Sequence, residues 1–167
     1  KKIRIILFQN PLGERVTKTQ RNEMIDFKPH FVCFPEYYFA NKRLGNHGQT
    51  LKNQKRHIRY LQLLSKKLQT TVIGGTMPEL ADDTMYNTCF VFDNGNMLGY
   101  YRKRNLFFAE VGKITPGNEW KAFSAHGITF GVLICADVFH DESFLAMRKL
   151  QARIIFVPTF SLKKVET

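Results

Sequence analysis

With 167 residues, 44% of them hydrophobic, the chain is long enough for one domain with a real core and too apolar to be disordered. No apolar run reaches the roughly 18 to 20 residues that cross a bilayer, and the start, KKIRIILFQN, is too short in apolar residues for a signal peptide and lacks a small-residue cleavage site. The net charge of +11, from 25 Lys and Arg against 14 Asp and Glu, admits nucleic acid, an anionic surface or an acidic substrate as partners.

KIRIILFQ (2–9) reads as a first strand, VTKTQRNEMIDF (16–27) as a helix and HFVCFPE (30–36) as a second strand. In LKNQKRHIRYLQLLSKKLQ (51–69), Ile58, Leu61, Leu64 or Ser65, and Leu68 fall at helical spacing. The basic residues of this stretch therefore fill the wet face, and solubility accounts for most of the excess charge. No zinc-finger or RNA-binding signature accompanies them, so nucleic acid is not expected as a partner. TTVIGGT (70–76) is a third strand ending on paired glycines. YNTCFVFD (86–93) and NMLGYYRK (96–103) flank an Asn-Gly pair, the strongest short hairpin signal. EWKAFSA (119–125) and GITFGVLIC (127–135) form another pair turning at His126-Gly127, followed by a helix over 142–151 and a last strand, RIIFVPTF (153–160). Strand–helix alternation at the front predicts a parallel portion and the hairpins an antiparallel one, in an α/β fold with mixed sheets and helices outside. The last strand is nearly all apolar, as a central strand buried on both faces would be. Seven residues later the sequence stops, which predicts either a piece of a longer protein or an obligate homo-oligomer covering an open edge.

Three reactive side chains stand at strand ends. Glu36 follows HFVCFP, Lys103 ends LGYYRK and Cys135 ends GVLIC. A thiol is mostly protonated near neutral pH and needs a base or a cation to become a nucleophile. A carboxylate can take its proton, and an ammonium can stabilise the oxyanion formed when the thiolate attacks a carbonyl. Strand alternation points Lys103 away from its neighbours Arg102 and Arg104.

FPEYYF, YYRKRNLF and GVLICADVF resemble, in order and separation, the three motifs of the nitrilase or carbon–nitrogen hydrolase superfamily. VIGGT, YNT and EVGKITPG are similar to its lesser signatures. The resemblance implies Glu36 as general base, Lys103 as the lysine that stabilises the intermediate and Cys135 as nucleophile. It further implies Glu110 as a second glutamate positioning substrate and lysine, and the Ala136 amide as part of an oxyanion hole. The fold it implies is a four-layer αββα sandwich, incomplete at the C-terminus because family members continue well past this point. CADVFHDESF also departs from the usual continuation after the cysteine, with His140 where an arginine or another residue and FPE are more typical. The implied function is cysteine-dependent hydrolysis of a non-peptide carbon–nitrogen bond in a small molecule through a thioester, an amide ahead of a nitrile or carbamoyl amine. An acyltransferase of the same superfamily and an inactive fragment or binding protein are the alternatives.

Cys33 and Cys89, each inside a strand pattern, are read as packing residues. Three widely spaced cysteines, an odd number, argue against a disulfide framework and for a cytoplasmic protein. Asp137 is expected to fix the loop after Cys135 by accepting backbone N–H bonds. His126 and His140 raise a Cys–His peptidase, but no peptidase cysteine motif accompanies them, and they serve equally as turn and helix-cap residues. His47, between Gly45 and Gly48, reads as a loop residue near the pocket mouth. No pair of histidines shows metal-ligand spacing with a carboxylate, so neither metal nor cofactor is expected.

Overall fold

The computed structural model of the chain describes residues 2–40 and 47–161. The first three strands, β1 (Ile5–Leu7), β2 (Phe31–Cys33) and β3 (Thr71–Ile73), run parallel and side by side. Between β1 and β2 lies helix α1 (Lys18–Phe27). Thr17 starts it, accepting the Gln20 N–H while the Gln20 side chain accepts the Thr17 N–H, which satisfies two of the donors a helix start leaves unpaired. Two helices precede β3: α2 (His47–Lys52) and α3 (Gln54–Leu68). The face of α3 that the spacing predicts is the buried one, with Leu61, Leu64, Ser65 and Leu68 all inward. The three leucines pack with Met24 of α1 on Val32 and Val72, forming the outer core of the first sheet.

Beyond β3 the sheet turns antiparallel. β5 (Thr84–Asp93) pairs with β3 through Val91, Phe92 and Asp93, and with β4 (Met77–Ala81) through its first half. β6 (Asn96–Arg102) lies on the other side of β5. Asn94 and Gly95 both have positive φ, 46° and 85°, the turn that matches the twist of a two-residue hairpin. β4 is missing from the sequence reading because Pro78 has no N–H for a ladder. Its place at the sheet edge, bonded to β5 alone, is what lets a proline stand there. The helix α2 was also not expected, since its glycine and histidine read as loop.

The second sheet comprises β7 (Ala122–Ala125), β8 (Ile128–Val132) and β9 (Ile154–Phe156), with β7 antiparallel and β9 parallel to β8. His126 and Gly127, φ 54° and 74°, make its hairpin turn as predicted. Contrary to the expectation of a central position, β9 is the outermost strand of this sheet among the described residues and only partly buried. Helix α4 (Asp141–Lys149) lies outside, setting buried Met147 over Gly131 of β8. Between the two sheets Phe31, Cys33, Ile73, Cys89 and Tyr101 meet Phe123, Phe130, Val132 and Phe156 in an apolar core. The order is therefore helices, sheet, sheet, helix, as a four-layer αββα sandwich requires. Cys33 and Cys89 belong to this core, and burial pushes the Cys33 thiol up to about 12 and Cys89 well above its ordinary value. Both are packing residues.

Two backbone details aim the strand ends. Gly75, φ 65°, passes so close to the Pro35 carbonyl that a Cβ there would stand 2.2 Å from its oxygen. The Thr76 N–H donates to that same carbonyl at 3.3 Å and the Thr76 hydroxyl accepts the Tyr37 N–H at 2.9 Å, so residues 35–37 are clamped to the end of β3. The second detail is a bulge in the β5–β6 ladder: Val91 faces Gly99 but Phe92 faces Met97, leaving Leu98 as an extra residue. Past the bulge, the Lys103 N–H donates to the Asn87 carbonyl at 2.9 Å, so the two residues stand opposite each other.

Gly75→Ala should lower stability by more than about 1 kcal/mol, since a side chain is disfavoured at this φ and the neighbouring carbonyl must move. Urea denaturation measures it, and an unchanged midpoint would contradict the clamp.

Candidate active site

The residues that follow β2, β6 and β8 converge at one rim of the inter-sheet core. Glu36 lies three residues past β2, where Pro35 interrupts the ladder. Lys103 directly follows β6. Cys135 lies three residues past β8, its N–H donating to the Pro158 carbonyl at 3.0 Å, and opens a short 3-10 turn, Cys135–Phe139. Its φ of 44° is in the left-handed region, uncommon outside glycine, and marks a sharp change of direction at the thiol. Ala136 is the next, buried residue of that turn. Glu110 ends another 3-10 turn, Phe108–Glu110.

Lys103, 1% exposed, donates to Glu36 Oε1 at 2.9 Å and to Glu110 Oε2 at 2.6 Å. The Asn87 amide nitrogen donates to Oε1 of both glutamates, at 3.0 Å to Glu36 and 2.8 Å to Glu110. Asn87 Oδ1 is buried with no hydrogen-bond partner among the described residues, and this side chain is held through its donors. Glu110 also accepts the Tyr37 hydroxyl at 2.5 Å and the Phe107 N–H at 2.8 Å. Glu36 Oε2 accepts the Phe160 N–H at 3.2 Å, while the half-buried Cys135 thiol lies 4.0 Å from the Phe160 carbonyl, so one residue adjoins both groups and the thiol feels the Glu36 charge. The predicted Glu36, Lys103, Glu110 and Cys135 are thus one contiguous group.

The two glutamates differ in proton affinity although they share a lysine. Burial raises both, but at Glu110 Lys103, Tyr37 and the Phe107 N–H outweigh it and hold the carboxyl below its ordinary value. At Glu36 burial prevails over Lys103, and the neighbouring Glu110 charge adds to it, so this carboxyl is the more basic. Burial opposes the Lys103 ammonium, yet the two carboxylates more than offset it, and the amine stays charged. Burial and the adjacent Glu36 push the Cys135 thiol up to about 11, with Lys103 pulling the other way. At rest the proton therefore sits on sulfur, beside a carboxylate able to accept it. Two acids pushed apart in this way are a physical basis for separate roles, one fixed anion and one proton acceptor.

Asp137 takes the loop role. Fully buried, it accepts the Ile134 N–H and the Asn105 N–H, each at 2.8 Å, and the Tyr101 hydroxyl at 2.9 Å, tying the cysteine turn to the end of β6. Arg102 turns away from the cluster, paired with Glu79 at 2.9 and 3.1 Å and lying over the Tyr86 ring, while Arg104 lies over Trp120. Neither simply faces water. Of the histidines, His126 meets Thr71 at the far turn and His140 precedes α4. His47 stacks on the Tyr37 ring at 6.0 Å, beside the cluster, as its reading near the pocket mouth expected, though within helix α2. No group of three or more metal-ligating side chains occurs among the described residues. No described helix is long and apolar enough to cross a membrane. Asn87 and Tyr37 went unassigned in the sequence reading; YNT carried the first only as a signature, and Tyr37 lay unremarked beside Glu36.

This site on an αββα sandwich defines a class, and comparison with known proteins agrees. The family model described as Carbon-nitrogen hydrolase matches residues 21–166, and the chain belongs to that family. Among its relatives, omega-amidase NIT3 of Saccharomyces cerevisiae is 27% identical over 163 residues, which are 89% of this chain and 55% of that protein. The chloroplastic omega-amidase of Arabidopsis thaliana is 46% identical over 108 residues, 59% of this chain and 29% of that one. The crystal structure of an amidase from Nesterenkonia sp. superposes with a TM-score of 0.79 at 21% identity, covering 99% of this chain and 67% of that one, a likeness of fold. The chain spans about half or less of the length of these two curated relatives.

Asp137→Ala would strand three buried or half-buried donors, and a loss on the order of 3 kcal/mol is expected in chemical denaturation. A loss below about 1 kcal/mol would mean that the loop is held by other contacts.

Proposed function

We propose that the chain carries the Glu–Lys–Cys centre of a thiol-dependent amidase acting on a small-molecule carbon–nitrogen bond. The observation that carries this reading is one ammonium held between two carboxylates of diverging proton affinity, the more basic of which meets the same residue, Phe160, as the thiol. Glu36 takes the Cys135 proton as sulfur attacks the carbonyl carbon. The Lys103 ammonium and the Ala136 N–H stabilise the resulting oxyanion. Collapse breaks the carbon–nitrogen bond, the leaving amine or ammonia takes the proton from Glu36, and a thioester remains on Cys135. Glu36 then removes a proton from water, which attacks the thioester; collapse breaks the carbon–sulfur bond, releases the acid and returns the Glu36 proton to Cys135. Glu110 is the fixed anion that keeps Lys103 charged and in place. Relatives named omega-amidase and amidase support an amide over a nitrile as substrate. Three free cysteines fit a reducing, cytoplasmic setting. Exposed Phe139, Phe144 and Leu145, at and beside α4, fit assembly into a homo-oligomer.

Cys135→Ala should abolish amide turnover with circular dichroism unchanged, and intact-mass analysis of the wild type under turnover should reveal an acyl group on Cys135. Turnover retained in the alanine variant would refute the mechanism. Lys103→Arg should lose at least a hundredfold in kcat, on the order of 3 kcal/mol, because a planar fork does not replace a compact ammonium between two carboxylates.

The pH dependence follows from Glu36. The base works only when ionised, and its proton affinity is raised, so activity is present above its titration and lost as pH falls through it. The acid limb of kcat/KM should lie above the ordinary glutamate range and vanish in Glu36→Gln along with the activity. A limb at or below that range would assign the base elsewhere.

A further inference from the structure

A second polar pocket lies apart from the carboxylate–ammonium cluster, where the loop after β1 meets the α2–α3 junction. It encloses about 140 Å³. Phe39 is its buried floor: the Arg15 guanidinium carbon stands 4.9 Å from that ring centre, and the His57 ring stacks on it at 4.3 Å and 27°. Gln49, Thr50, Asn53 and Arg56 complete the wall. Arg15 is held in place from behind by donating to the Tyr38 and Glu14 carbonyls.

What distinguishes this place from a solvated basic face is convergence: Arg15 from the loop after β1 meets Arg56 and His57 of α3 around one concavity. Neither Arg15, Arg56 nor His57 takes part in an ion pair among the described residues, whose paired acids are Glu36, Glu79, Asp93, Glu110 and Glu119. Burial disfavours the charge on Arg15. Burial, then Arg15, then Arg56 hold His57 low, to about 4, so its imidazole is neutral near pH 7 and offers one N–H. Two guanidiniums from separate elements, an imidazole N–H and the Asn53 amide, which also donates to the Gln49 carbonyl at 3.0 Å, surround one small concavity. Donors arriving from several sides suit a tetrahedral oxyanion better than a planar carboxylate, and arginine forks match phosphate oxygens in pairs. The volume admits a phosphoryl group.

We propose that the pocket lined by Arg15, Asn53, Arg56 and His57 binds a phosphate-type oxyanion, as free phosphate or as the head of a small phosphate monoester. Isothermal calorimetry of the full chain tests it, with inorganic phosphate and glycerol phosphate titrated separately at ionic strength matched with sodium chloride. The expected result is saturable one-to-one binding that Arg56→Ala weakens at least tenfold and Arg56→Lys weakens less. Arg56 is solvent-exposed, so these variants keep the fold, which circular dichroism checks. Tighter binding of the ester assigns the monoester, and tighter binding of phosphate the free ion. Absence of saturable heat, undiminished binding by Arg56→Ala, or acetate binding at least as tightly as phosphate would each overturn the proposal. The measurement needs no turnover, so its outcome is independent of the amidase reading.

Discussion

Lys103 lies 2.9 Å from Glu36 and 2.6 Å from Glu110, in a place from which water is nearly excluded. Two carboxylates and one ammonium leave an excess negative charge, and burying such a charge is expensive unless other donors share it. The Asn87 amide, the Tyr37 hydroxyl and the Phe107 and Phe160 N–H groups supply those donors, and each comes from a different segment. Removing one partner from a buried ion group costs about 3–5 kcal/mol. The polar cluster therefore dictates where the surrounding loops must stand, as much as the apolar core dictates where the strands lie.

The two sheets do different work for this cluster. The first brings Glu36, Asn87 and Lys103 together through the parallel pair β2–β3 and the antiparallel ladder that continues it. The second carries Cys135 at the end of β8, and Asp137 ties that turn back to Tyr101 and Asn105 of the first. Packing of Phe31 and Tyr101 against Phe123, Phe130 and Phe156 fixes the distance between the sheets. Sulfur and carboxylate are thus held in register by an interface of aromatic rings, which a close-packed interior does not let slide.

Much of this was legible in the residues themselves. The Asn94-Gly95 and His126-Gly127 turns announced both hairpins, and the apolar spacing of α3 announced its inward face, because these signals are local. Glu36, Lys103 and Cys135 stood out as reactive groups where strands give way to loops. Asn87 and Tyr37 did not, since an amide and a phenol have no chemistry until the fold sets them against two carboxylates. Pro78 hid β4, because whether a proline is tolerated depends on which edge of the sheet it faces. The apolar run of β9 suggested a central strand, but composition alone does not say how many neighbours a strand has.

The extra residue in the β5–β6 ladder has a consequence for how this centre can fail. Counted from the Asn94-Gly95 turn in regular pairing, Lys103 would fall opposite Tyr86, with its side chain on the helix-covered side of the sheet; the bulge at Leu98 brings it opposite Asn87 instead. Gly99, φ 151°, completes that distortion with the Phe123 ring only 3.1 Å from where a Cβ would stand. A hairpin that slipped by one position would keep nearly as many backbone bonds, yet turn Tyr101 out of the inter-sheet core and withdraw the ammonium from its two carboxylates. Inactivity in such a protein would begin as an error of phase, plain to a probe that reads which strand neighbours face one another.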